Sequence, residues 1–174
     1  MREVFYGVIS QGVAPYFFME EKICSFFGHR EFTPTEKSAS LIKSEILKAI
    51  EYGCNTFYFG GYGEFDRFCY DTVIAIKSDN PNLKTVYCAA DERHVRKKVR
   101  YFNPDDYDEI IFLDLSFDWW YKAIYYRNCA MIDKSDYIIF FAEEKQTSGA
   151  YKAYKYALSK KKEKIVNLYT SVSS

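Results

Sequence analysis

The sequence predicts a three-layer α/β fold, a mainly parallel sheet of about six strands with helices on both faces. Three observations carry that expectation. From Glu21 onward, short apolar runs alternate with longer stretches of helical period, the pattern of strands joined by crossover helices. The helical stretches have start and stop residues at their ends. A glycine-dense turn, Gly60-Gly61-Tyr62-Gly63, lies directly between a strand-like and a helix-like run, where a glycine lets the chain turn sharply and a ligand approach the backbone.

Taken in order, Lys22 to Phe27 makes the first strand, and Gly28-His29-Arg30 turns the chain. Thr33-Pro34-Thr35-Glu36 then reads as a helix start, with a capping Thr, a first-turn Pro and a Glu three residues on. Ala39, Ile42, Ile46, Ala49 and Ile50 form its apolar face, and Gly53 stops it. Asn55 to Phe59 is the second strand, and Glu64 to Lys77 a helix with Phe65, Phe68, Cys69, Thr72, Val73 and Ile76 on one stripe. After the breaker Asn80-Pro81-Asn82 come a third strand, Lys84 to Ala90, and a short basic helix, Asp91 to Phe102, whose charges read first as a solvated face. Asp108 to Leu113 is the fourth strand, Asp118 to Lys134 a long aromatic helix and Tyr137 to Ala142 the fifth strand. Ser148 to Lys161 is a helix and Lys164 to Leu168 the last strand.

The 174 residues suit one domain, placed at residues 19–170, with a tail at 171–174. Residues 1–18 are apolar and aromatic but broken by Gly7, Gln11, Gly12 and Pro15, with no small-residue cleavage pattern; they are expected to be an appended extension or an upstream reading of the start. Lys+Arg and Asp+Glu are each 24, so no overall basic field draws the chain to nucleic acid or acidic membranes, and neither is expected as a partner. Five cysteines without a Cys-x-x-Cys pair read as small core residues in a reducing compartment, with no zinc site. No apolar stretch is long enough to span a membrane, so the expected location is cytoplasmic. Tyr (17) and Phe (15) predict an aromatic core and stacking surfaces. Whether the chain forms a homo-oligomer is left open.

In an open parallel sheet the loops leaving the carboxyl ends of the strands gather at one edge. The turns after strands one, two and five are therefore expected to share a crevice. Gly28, His29 and Arg30 come from the first; Arg30 offers a forked contact to phosphate, while His29 either donates to the same ligand or caps the nearby helix. Gly60, Gly61, Tyr62, Gly63 and Asp66 come from the second. Asp66 stands where a dinucleotide fingerprint has its third glycine, and no Gly-Lys-Ser/Thr follows, so neither a standard dinucleotide fold nor a Walker loop is expected. Asp66 reads either as a helix-start acid or as an acceptor for ribose hydroxyls. Arg127, beside Asn128 in the long helix, is costly to bury without an anionic partner, either Asp136 or a ligand. Ser148 and Gly149 open a helix start suited to phosphate.

These pieces, in this order, resemble the SLOG superfamily, named for the Smf/DprA DNA-processing proteins and the Lonely Guy phosphoribohydrolases, and look closest to its YpsA-like branch. The residues that carry the resemblance are Cys24-Ser25-Phe26-Phe27-Gly28-His29-Arg30, Gly60-Gly61-Tyr62-Gly63 with Phe65-Asp66, Arg127-Asn128 with Met131 and Ser135-Asp136, and Ser148-Gly149 running into Tyr156-Ala157 and Ile165-Val166-Asn167-Leu168. The resemblance implies a Rossmann-like fold that binds nucleotides, ADP-ribose or related ligands, needs no separate cofactor and acts as a sensor or sequestering protein.

Two alternatives accompany that reading. One is an N-glycosidic enzyme, a nucleoside monophosphate phosphoribohydrolase or deoxyribosyltransferase, with Asp66 as its acid group. The Lonely Guy branch carries a loop Pro-Gly-Gly-x-Gly-Thr-x-x-Glu, and the stretch here, Thr147-Ser148-Gly149-Ala150-Tyr151-Lys152-Ala153, has no counterpart to its catalytic glutamate. If the Gly60 loop is taken instead, that glutamate falls on Arg67. The other alternative is a protein associated with DNA processing.

Overall fold

The structure, a computed structural model, describes residues 20–90, 103–112, 122–145 and 147–173. The expected extension at 1–18, the basic helix at 91–102 and the first residues of the long aromatic helix lie outside these. The strands are β1 (Ile23–Gly28), β2 (Thr56–Phe59), β3 (Lys84–Ala89), β4 (Glu109–Phe112), β5 (Tyr137–Phe141) and β6 (Lys164–Asn167). The helices among the described residues are α1 (Glu36–Glu51), α2 (Glu64–Lys77), α3 (Ala123–Lys134), α4 (Gly149–Ser159) and a short α5 (Tyr169–Ser173).

Every strand pair is parallel, and the sheet order is β4-β3-β2-β1-β5-β6. This is the expected α/β, Rossmann-like arrangement. The chain runs outward from β1 through β2 and β3 to β4, then returns to place β5 on the other side of β1. Strand direction of travel therefore reverses between β1 and β5, which pair from Cys24↔Tyr137 to Gly28↔Phe141. A crevice forms outside the carboxyl ends of the strands at such a reversal.

The period of two along each strand divides the core between the two faces of the sheet. Cys24 and Phe26 of β1, with Phe57 and Phe59 of β2, face α1, α2 and the C-terminal turn around Leu168. Ile23 and Phe27, with Ile138 and Phe140 of β5, face Met131 and Ile132 of α3 and Ala150, Ala153 and Ala157 of α4. The alanine stripe lets α4 lie close to the sheet. Burying each of the large side chains fully removed from water, such as Phe57, Phe59 and Phe65, contributes about 1.5–3 kcal/mol. Ser25 is buried among them, and its hydroxyl is satisfied by Ser135 Oγ at 2.5 Å.

Helix α1 starts two residues later than its sequence signal. Thr35, not Thr33, is the cap: its hydroxyl accepts from Ser38 N at 3.1 Å, and Ser38 Oγ accepts from Thr35 N at 2.8 Å. Ser38 thus does the work expected of Glu36, because the preceding chain stays extended to bury Phe32, whose N–H donates to Glu64 at 3.0 Å. Residues 169–173, which lie outside the elements the sequence predicts, form α5, with Tyr169 and Val172 packed on the core.

Candidate functional site

A cavity of about 380 Å³ opens at the β1/β5 reversal, within the range of about 300–1,000 Å³ usual for small-molecule sites. Ten of the twelve predicted site residues line it: Gly28, His29 and Arg30 after β1, Gly60, Tyr62 and Asp66 from the β2–α2 turn, Arg127 and Asn128 from α3, and Ser148 and Gly149 at the start of α4. Gly61 and Gly63, the other two, do not line it. Lys145, on the loop after β5, also lines the cavity and carries no sequence signal beyond its charge.

The walls interlock by close approach. A Cβ on Gly28 would sit 2.2 Å from the Phe65 ring, so only glycine lets β1 end against α2. Gly63 has φ +99°, a conformation that favours glycine, and packs on the Arg30 backbone. Glu64 N donates to Arg30 O at 2.9 Å. His29 does not cap a helix; its Nε2 accepts from Glu143 N at 3.0 Å, which requires the proton on Nδ1 in the neutral ring and ties the β1 loop to the β5 loop. The Arg30 guanidinium lies over the Tyr62 ring, 4.5 Å from its centre, at the mouth.

The glycine loop spends its N–H groups on its own helix. Gly60 N and Gly61 N donate to the two carboxylate oxygens of Asp66, at 3.1 and 2.9 Å. Asp66 is buried, and its pKa is pushed up to about 6, first by loss of solvation, against the backbone hydrogen bonds of Gly60, Gly61 and Tyr62 and the nearby Arg127 charge, which lower it. A general acid or base needs an oxygen turned to its substrate. Both oxygens here hold the loop, so the carboxylate's evident role is to fix the turn.

Arg127 is 5% exposed. Its Nη1 donates to Gly60 O at 2.5 Å, and Nε and Nη2 donate to Asn128 Oδ1 at 3.1 and 3.0 Å. Asp136, the partner considered from sequence, is engaged elsewhere: its carboxylate accepts from Ile23 N at 2.9 Å and so fastens the start of β1 to the end of α3. Among the described residues no carboxylate lies within 4.0 Å of the Arg127 guanidinium. Three of its five N–H bonds are used, leaving two without an acceptor there. The α4 start faces the same space. Ser148 Oγ caps Tyr151 N at 3.4 Å, whereas the N–H groups of Gly149 and Ala150 meet no acceptor among the described residues. Around Gly149 a Cβ would find nothing within 4 Å, so this glycine borders open space. Arg30, Arg127 and Lys145 against one carboxylate, Asp66, give the described lining a positive balance.

No protein-family model matches the chain, and no curated protein matches it. Among solved structures, DNA processing protein A from Helicobacter pylori, described for its mode of binding single-stranded DNA, superposes with a TM-score of 0.50 at 16% identity over 81% of this chain. The chain shares that protein's fold. It spans 62% of that protein's length, and at this identity the likeness is one of architecture. No group of three or more His, Cys, Asp or Glu among the described residues is placed to hold a metal ion, and no described helix is long and apolar enough to cross a membrane. All five cysteines are free and buried.

Proposed function

We propose that this chain is a nucleotide-binding module of the SLOG type, on its YpsA-like side, which holds a nucleotide, ADP-ribose or a related ligand in the β1/β5 cavity and acts as a sensor or sequestering protein. One observation carries the reading: a buried guanidinium with two unspent N–H bonds, without a carboxylate within 4.0 Å among the described residues and with the nearby Asp66 held by the glycine loop, lines the cavity beside two N–H groups of a helix start that meet no acceptor there. A buried cation is costly to leave unpaired, and an anion at this point accepts from both donor sets at once. The phosphate sits there, and the Arg30 and Tyr62 pair at the mouth is placed to flank a ribose or base.

Isothermal titration with nucleoside mono- and diphosphates and ADP-ribose tests this. Binding of one of them, lost in Arg127→Met, is the expected result; no heat with any of them at millimolar concentration overturns it. A second reading, single-stranded DNA as the ligand of the same cavity, is favoured by the solved structure that shares the fold. Titrating a labelled oligonucleotide against the mononucleotide series separates the two, since a module for free nucleotides prefers the smaller ligand.

A further inference from the structure

A second pocket opens at the same edge of the sheet, outside the carboxyl ends of β5 and β6, with a volume of about 640 Å³. Glu143 and Glu144, from the loop after β5, are the only charged residues in its described lining, and the rings of Tyr151, Tyr154 and Tyr169 stand among them. We propose that this pocket is a binding site for a small organic cation, an alkylammonium or diamine, held by the two carboxylates and the tyrosine rings. The inference stands apart from the nucleotide reading, because the two pockets share no lining residue.

The class of ligand follows by elimination from charge, donor set and size. An anion would meet two carboxylates and no cation in the lining. A purely apolar ligand would strip water from both acids without compensation. Two carboxylates without a third His, Cys, Asp or Glu do not make a metal site among the described residues, and the volume falls within the range of about 300–1,000 Å³ usual for small molecules. An organic cation meets all three conditions, since carboxylates and the negative faces of aromatic rings both attract it. Neither acid forms an ion pair among the described residues. Glu144 accepts one hydrogen bond, from Tyr151 Oη at 2.9 Å, which leaves its second oxygen and both of Glu143's open there. Tyr151 already holds one ammonium group, that of Lys155, 5.1 Å from its ring centre and outside the lining. With that charge counted, the two carboxylates still leave the surroundings negative. The floor is built before a ligand arrives. Asn167 Oδ1 accepts from Ala142 N at 3.1 Å and its Nδ2 donates to Ala142 O at 2.9 Å, joining β6 to the base of the acidic loop, while Glu143 N donates to His29. Lys145, the next residue after the two acids, lines the β1/β5 cavity instead, so one loop separates pockets of opposite charge.

Isothermal titration with putrescine and with tetramethylammonium, beside magnesium and sodium chlorides at matched ionic strength, tests the site. Saturable one-to-one binding of an organic cation is expected. Glu143→Gln combined with Glu144→Gln should weaken it about tenfold, and Tyr151→Leu about threefold. Both acids are exposed and Tyr151 is half-buried, so unchanged thermal midpoints without ligand confirm that the variants are folded. Either order of the two probes supports the site, a tighter putrescine marking the carboxylate pair as the main contact and a tighter tetramethylammonium the rings. No saturable binding of either probe even at tens of millimolar, binding that survives both sets of substitutions, or a magnesium response as strong as the organic one overturns the proposal. Each of these outcomes leaves the nucleotide reading untouched, which is tested on the other pocket.

Discussion

Removing the Arg127 side chain separates two roles that the structure gives it. As a structural tie it joins α3 to the β2–α2 turn through Gly60 O; as a binding group it is a buried cation with spare donors. Truncating one member of a satisfied buried ion pair costs about 3–5 kcal/mol, because a charge is left behind. Here no carboxylate partner stands within 4.0 Å among the described residues, so Arg127→Met removes the desolvated charge itself. The stability of Arg127→Met by urea denaturation is expected to stay within about 1 kcal/mol of the parent, the lost hydrogen bonds to Gly60 O and Asn128 Oδ1 offsetting the relieved charge. A loss of about 3 kcal/mol or more would mark the arginine as structural. Asp66 gives a prediction of its own. Its folded pKa, about 6, lies above the unfolded value of about 4, so the folded state binds its proton more tightly. Stability from this group is complete below about pH 4 and is lost as pH rises through about 6. Compared with Asp66→Asn, which cannot titrate, the parent should gain about 2–3 kcal/mol between pH 7 and pH 4. Denaturation curves for both proteins across that range check it, and a constant difference between them would mean that the carboxylate keeps an ordinary pKa.

At the scale of elements, local chemistry was legible where it acts along the chain and illegible where it acts across it. The helix Glu64–Lys77 has the predicted bounds because a glycine cap, two first-turn acids and a continuous apolar stripe all lie within its own segment. The α1 cap was misplaced by two residues because Thr33 and Thr35 both offer a hydroxyl, and the choice is made by Phe32 and Glu64, contacts across the fold. The glycine loop was readable as a sharp turn, but not as a loop whose N–H groups are consumed by Asp66, since that depends on where α2 begins relative to β2. Gly28 shows the same thing from the other side. Sequence marks it as a turn residue, whereas the structure shows that its missing Cβ makes room for Phe65. Gly28→Ala is therefore expected to destabilise by about 1–3 kcal/mol, as overpacking does. Adding Phe65→Leu should recover part of that loss, and calorimetry of the single and double variants measures the coupling. If the loss is the same with and without Phe65, the glycine serves backbone conformation alone.

For the whole molecule, the equal counts of acids and bases hid the distribution that matters. Composition argued against any nucleic acid partner, yet Arg30, Arg127 and Lys145 gather at one end of the sheet. Acids such as Asp71, Asp106 and Asp108 are spent on other cations, Arg67 and Lys77. Only the strand order that reverses at β1 and β5 brings these segments together. That order follows from the alternation of elements as a class, while its details depend on pairings that no single segment encodes. A local cationic site inside a neutral molecule has a thermodynamic signature. A ligand that binds only the folded state adds its binding energy to that state. At a ligand concentration of 100 times the dissociation constant that addition is about 2.7 kcal/mol. For a domain of this length it raises the thermal midpoint by about 5–10 °C. Differential scanning calorimetry with increasing nucleotide should show the midpoint climbing without saturation, and the climb should vanish in Arg127→Met. A midpoint that ignores nucleotide in the parent, or rises equally in the variant, would place the ligand away from this arginine.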